Sequence, residues 1–361
     1  MKKSVFILLA LLLGMTATAQ TQKQKLTITT KRGKVHTYVM GESMDSLRIL
    51  NDVGIKVYPK GTKVSKDYLF SQITYTLTNE PTPTPDPSGK NANRNTTADL
   101  KKNPQGWRLE FPRFYQGTNK TYEITHFTTE NGKRMNNYSV EWDAKLKANR
   151  WTCYEMYDKM MQKNVKRKNE FKPDPDIPLD MQTTLKDYKG SGFDRGHLCP
   201  SDDRCCSQAM NDQTFYLSNM QPQVHGHNGG VWKNLEEKVR AWAGKCDTLY
   251  VVKAATIDKA EYICNKKDLN EIAEKEGKPA GSLHFPGIVP KYFYMALLAY
   301  DKKTNTYRAL GIWSPHYKKS KYDYITIEEL QKRTGIDFFC NLDDSIEKAV
   351  EATVDSDYWE K

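Results

Sequence analysis

Gly192-Phe193-Asp194-Arg195-Gly196-His197-Leu198-Cys199-Pro200 gathers an acid, a guanidinium and an imidazole around one glycine. Arginine grips phosphate through a two-pronged fork, and histidine is the side chain suited to moving protons near neutral pH. Alone, the same residues also describe a turn carrying an Asp-Arg ion pair. The balance changes with Asn228-Gly-Gly-Val-Trp232-Lys-Asn-Leu235-Glu236-Glu-Lys-Val239-Arg240-Ala-Trp242. Here Trp232, Leu235, Val239 and Trp242 recur at helical spacing and predict the buried stripe of an amphipathic helix. Asn228 stands at its entrance, and Glu236 follows about two turns on, about 80° around the axis.

Outward from these stretches, Tyr138-Ser-Val140-Glu-Trp142 and Trp151-Thr-Cys153-Tyr154-Glu-Met156-Tyr157 alternate as strands. The apolar runs Leu249-Tyr-Val-Val252 and Tyr292-Phe-Tyr-Met-Ala-Leu-Leu298 suit buried strands. Lys166-Arg167-Lys168 precedes a proline-rich segment, Phe171 to Pro178, that must be loop. Towards the N-terminus, Leu26-Thr-Ile28, Val35 to Val39, Ile55 to Tyr58 and Ile73 to Leu77 alternate with period two and predict a small all-β module.

Four segments follow. Lys2 and Lys3, the apolar run Val5 to Leu13 and the Ala17-Thr-Ala19 end mark residues 1–19 as a secretory signal peptide. The β module occupies 20–79. Alternating prolines from Pro81 to Pro87 and the polar stretch after them make 80–103 a linker that buries little. Residues 104–361 form one domain of ordinary size. The expected location is therefore periplasmic, cell-surface or secreted. No stable membrane insertion is expected, because the leader is too short to span a bilayer, and no cysteine follows the cut site to take a lipid anchor.

The chain carries 55 Lys and Arg against 44 Asp and Glu, is 38% apolar and 11% aromatic. Those figures exclude a multi-span membrane protein and a largely disordered one. The positive excess favours polyanionic partners without choosing among them. Export predicts disulfides among Cys153, Cys199, Cys205, Cys206, Cys246, Cys264 and Cys340, up to three with one thiol left over.

The ordered motifs Asp194-Arg195-Gly196-His197, Ser218-Asn219 with Pro222-Gln223, and Asn228 with Gly230, Trp232, Leu235-Glu236 and Arg240 resemble those of the DNA/RNA non-specific endonucleases. That family includes endonuclease G and belongs to the ββα-metal, or His-Me finger, nucleases. The resemblance implies an α+β fold with a mixed or antiparallel central sheet, the histidine on a β-hairpin and the asparagine on the following helix. It further implies His197 as general base, Asn228 as protein ligand of one Mg²⁺ (Mn²⁺ able to substitute), and Glu236 as holder of water on that ion. Arg195 would stabilise the transition state, with Asp194 in support. Asn219, Gln223, Arg240 and an upstream Arg167 would orient the site or bind the substrate backbone, although Lys168 fits the last position equally. DNA and RNA are the implied substrates, 5′-phosphate ends the implied products, and a homodimer the implied assembly. Where that family often has a glycine-proline turn after the helix, this chain has Val252-Lys-Ala-Ala-Thr256.

Other readings stay open at the level of sequence. Asn228 fits a helix N-cap, and Glu236 with Arg240 fits a surface ion pair. His225-Gly-His227 reads as two solvated loop histidines or as half of a zinc site. At the level of the whole chain, the alternatives are a catalytically silent polyanion-binding surface protein and a zinc phosphoesterase using His225 and His227.

Overall fold

In a computed structural model the described residues are 22–31, 35–39, 44–50, 54–62, 64–81, 91–130 and 132–360. The signal peptide and the prolines after Pro81 lie outside them. The chain divides into two compact units, Met1–Ser88 and Gly89–Lys361.

The first unit is all-β. Strands β1 (Gln22–Thr30), β2 (Val35–Val39) and β6 (Ile73–Pro81) form an antiparallel sheet ordered β2-β1-β6, and β3 (Met44–Leu50), β4 (Gly54–Pro59) and β5 (Lys66–Leu69) form a second ordered β3-β4-β5. Their alternation turns Leu26, Ile28, Ile55 and Val57 into one small core, as a period of two requires.

The second unit is built on a seven-stranded antiparallel sheet. Its strands are β7 (Thr121–Glu130), β8 (Lys133–Asp143), β9 (Ala148–Met156), β12 (Thr248–Ala255), β13 (Tyr292–Asp301), β14 (Thr306–Pro315) and β15 (Asp323–Ile325). They lie in the order β15-β14-β13-β12-β9-β8-β7. Helices are α1 (Thr97–Lys102), α2 (Leu185–Tyr188), α3 (Gln208–Gln213), α4 (Lys233–Ala243), α5 (Lys266–Lys275), α6 (Ile327–Thr334), α7 (Asp344–Glu351) and α8 (Ser356–Trp359). This is the α+β class with the sheet antiparallel throughout. Both faces of β12 and β13 are covered, which is why their sequences are continuous apolar runs rather than alternating ones. One face packs Leu249, Val251 and Ala255 against Trp232, Leu235, Val239 and Trp242. The other packs Val252 and Ala254 with Phe111, Trp151 and Leu330. The stripe expected on α4 is thus the core contact of that helix. No helix among the described residues is long and apolar enough to cross a membrane.

Two expectations need correction. The stretch up to Asn103 is not a linker that buries little. From Asn91 onward it is folded as part of the second unit, with Asn95, Asp99 and Asn103 buried. Asn95 holds the carbonyls of Gly106 and Pro112 through its amide, and Asp99 closes a capping box with Thr96 and an ion pair with Arg113. Polar composition concealed a segment whose polar groups are satisfied internally. Nor do the cysteines pair, since all seven are free thiols. Cys199 and Cys153 lie on opposite faces of the sheet. The thiol of Cys205 meets the Ser201 carbonyl, and that of Cys206 the sulfur of Met210 at 3.4 Å.

Candidate active site

The stretch Asp194–His197 forms a short strand, β10, antiparallel to β11 (Met220–Gln223), with His197 opposite Met220 and Asp194 opposite Gln223. A long connection carrying α3 joins the two strands of this antiparallel ribbon, which carries the histidine. Gly196 permits a close approach here: a Cβ would stand 2.1 Å from Oε1 and 2.7 Å from Cβ of Gln223 beneath it. After β11 the chain enters a π-helical turn, His227–Trp232, which runs directly into α4. Asn228 lies inside that turn and its N–H bonds the Val224 carbonyl, so it is not an N-cap. Such wide turns occur often at functional positions.

These elements wall a cleft of 720 Å³ whose lining includes Arg167, Phe171, Asp194, Arg195, His197, Asn228 and Glu236. The imidazole of His197 stands edge-on to Phe215 (5.1 Å between centroids, 89°) and 5.6 Å from Phe171. The same two rings carry guanidinium groups: Arg195 lies 4.0 Å above Phe171 and Arg167 5.4 Å from Phe215. Nε2 of His197 is buried without a hydrogen-bond partner. Burial first, then the positive charges of Arg167, Arg195 and Lys253, push its pKa down to about 3. The imidazole is therefore neutral at physiological pH and free to accept a proton.

Asp194 organises the opposite wall. Its Oδ2 accepts hydrogen bonds from Nδ2 of Asn228 and from Nδ1 of His225, each at 2.9 Å. With its nitrogen so held, the Asn228 amide has its oxygen left over as a hard donor, without a hydrogen bond among the described residues. Glu236 enters from α4, and burial raises its pKa to about 7 against the opposing pull of Lys253, whose Nζ lies 3.7 Å from Oε1. The pair Glu236-Arg240 is not formed. Arg240 instead bonds Oδ1 of Asp203 at 3.0 Å, and Tyr154 bonds the other oxygen of that carboxylate at 2.8 Å.

Three residues assigned to the substrate are tied into the scaffold: Asn219 and Gln223 are buried and Arg240 is half-buried. Asn219 spans the loop after His197, accepting from the Cys199 N–H and donating to the Cys199 and Thr214 carbonyls. Gln223 lies under Gly196 and bonds Nδ1 of His227 at 2.6 Å. Arg240 fastens α4 to the loop carrying Asp203. Arg167 does face the cleft, whereas Lys168 points to Asp212 (3.6 Å).

Of the two loop histidines, His225 fits the solvated reading and His227 fits neither. His225 is exposed and paired with Asp194. His227 is fully buried, with Nε2 on Ser314 Oγ at 2.9 Å and Nδ1 on Gln223. Both of its nitrogens are engaged, so the two histidines do not form a zinc pair. Two other groups of potential cation ligands, His126-Asp174-Asp176 and Asp337-Glu347-Glu351, lie outside the cleft lining. In the first, Asp174 already accepts from His126, Ser218 and the Asp176 N–H.

Sequence reading missed Phe171, Phe215, Asp203 and Lys253. Only Lys253 left a signal, as a lone charge in the apolar run Leu249 to Ala255.

The family model for DNA/RNA non-specific endonucleases matches residues 118–345. The chain belongs to the DNA/RNA non-specific endonuclease family. Among relatives of this endonuclease, a nuclease of Nostoc sp. is 26% identical over 233 residues, covering 61% of this chain and 77% of its own length. Nuclease EXOG, mitochondrial, of Xenopus laevis is 27% identical over 214 residues, 57% of this chain and 58% of its own. Nuclease C1 of Cunninghamella echinulata is 33% identical over 182 residues, 48% and 68% respectively. The matched segment thus spans between just over half and about three quarters of these relatives, and the first unit lies outside the family match.

Proposed function

We propose that this endonuclease is exported and hydrolyses phosphodiester bonds in both DNA and RNA, with Mg²⁺, leaving 5′-phosphate ends. The observation that carries the reading is a neutral, unpartnered imidazole facing a cleft that also holds two aromatic-mounted guanidiniums and a free amide oxygen.

A phosphodiester is anionic, so its hydrolysis needs an activated water and neutralised phosphoryl oxygens. His197 takes the proton of the attacking water, and its depressed pKa keeps it in the accepting form across the neutral range. Arg195 and Arg167 receive the phosphate oxygens, each pre-oriented on its ring. The amide oxygen of Asn228, freed by Asp194, would hold the ion and the Glu236 carboxylate of the same cleft would hold its water, an all-oxygen set that fits Mg²⁺ and its preference for few protein ligands. When bound there, Mg²⁺ supplies Lewis-acid charge to the scissile phosphate and the departing oxygen.

Digestion of plasmid DNA and total RNA by the chain from residue 20, with Mg²⁺ or with EDTA, tests this. Metal-dependent cutting of both supports it. Folded protein that leaves both intact under every metal, while binding them at low salt, would establish the silent polyanion-binding alternative instead.

A further inference from the structure

Lys253 sits on the central strand of the seven-stranded sheet, opposite Met295 on one side and Thr152 on the other. Its side chain shares the face of Leu249, Val251 and Ala255, in the layer beneath α4. It is fully buried, and its ammonium makes no hydrogen bond. The neighbours of Nζ are Oε1 of Glu236 at 3.7 Å and the rings of Tyr154 and Trp232, each 5.8 Å away. An apolar side chain would fill this layer at lower cost, because an ammonium without close hydrogen-bonded partners loses its hydration with little return. A feature that spends stability in this way, beneath the wall of a cleft carrying His197 and Glu236, points to the cleft as its purpose.

Resting on the nuclease reading above, we propose that Lys253 is a positioning residue for the hydrolysis. From behind the cleft its ammonium aims the Glu236 carboxylate and sets a fixed positive charge under the place of the scissile phosphate. It touches no substrate and acts through Glu236. Burial of Glu236 on α4 would otherwise leave that carboxylate without a cationic partner, since Arg240 is committed to Asp203.

The test compares wild type, Lys253→Met, Glu236→Gln and the double variant for plasmid cleavage at saturating Mg²⁺ and for thermal unfolding. Expected is a fall in kcat of about ten-fold or more in Lys253→Met, with KM changed less than about three-fold, and a Tm of the double variant, in which neither charge is stranded, unchanged or raised. The double variant should be no slower than Glu236→Gln alone. Retention of wild-type kcat overturns the proposal, and so does multiplication of the two single effects. A double variant that melts lower than wild type or does not fold places Lys253 in the scaffold and also overturns it. A wild type that does not cut at all removes the nuclease reading, and this proposal with it. That result is distinct from an active wild type matched by its Lys253→Met variant.

Discussion

Replacing Asp194 by alanine removes the group that fixes the Asn228 amide. Its Oδ2 accepts from Asn228 and His225, both at 2.9 Å, and the side chain is about one-third exposed. A hydrogen bond to a charged group contributes about 1.5–3 kcal/mol, and partial exposure reduces this to about 1–2 kcal/mol. If that energy serves to present the Asn228 oxygen to the cation, its loss appears as a weaker apparent Mg²⁺ affinity, by roughly 5- to 30-fold, overlapping the 10- to 100-fold range typical of residues that orient a metal ligand. The assay is initial plasmid-cleavage rate against Mg²⁺ concentration for wild type, Asp194→Ala and His225→Ala. Asp194→Ala should raise the half-saturating Mg²⁺ about ten-fold while keeping most of the rate at saturation. His225→Ala, which leaves the Asp194-Asn228 bond in place, should stay within about three-fold of wild type. An unchanged Mg²⁺ requirement in Asp194→Ala, with a lowered saturating rate, would refute the reasoning and move Asp194 from orienting Asn228 to the chemistry itself.

Three further outcomes are expected. Arg240→Met should destabilise the fold by about 3 kcal/mol, because it strands the buried Asp203 carboxylate, and should leave KM for DNA nearly unchanged. A raised KM at wild-type stability would return Arg240 to the substrate. Because the pKa of His197 is depressed from 6.5 to about 3, its neutral form favours the fold fully above pH 6.5, and that contribution is lost as the pH falls towards 3. The Tm of wild type should therefore drop more between pH 6.5 and 4 than that of His197→Leu, and parallel curves would contradict the assignment. Titration of the unfolded, unreduced protein with a thiol reagent should count seven thiols; a count of one would establish three disulfides.

Legibility in the sequence followed the range of the interactions. The α4 stripe and the β12 and β13 runs were readable because periodicity records burial directly. The cleft residues Asp194, Arg195, His197, Asn228 and Glu236 were readable because they cluster in two stretches. What sequence could not give was direction. Arg240 lies in the second of these stretches, and Asn219 and Gln223 between the two, yet all three turn inward, since their partners Asp203, Cys199 and His227 become neighbours only through tertiary contact. Phe171, from a proline-rich loop with no pattern of its own, meets Phe215 and His197 for the same reason. Lys168 and Arg167 were equivalent as text and are separated only by the carboxylate of Asp212. The folding of 91–103 into the second unit depends on buried amides that composition reports as polar.

The central claim is that a neutral His197 takes the proton of the attacking water. It is tested most directly by chemical rescue: plasmid cleavage by His197→Gly at saturating Mg²⁺, with and without added imidazole, against wild type. The account predicts a loss of about 10²- to 10⁴-fold, partly restored by imidazole in proportion to its unprotonated fraction. Activity of His197→Gly near the wild-type rate, or a deep loss that imidazole does not touch in a variant that still binds DNA, would contradict it.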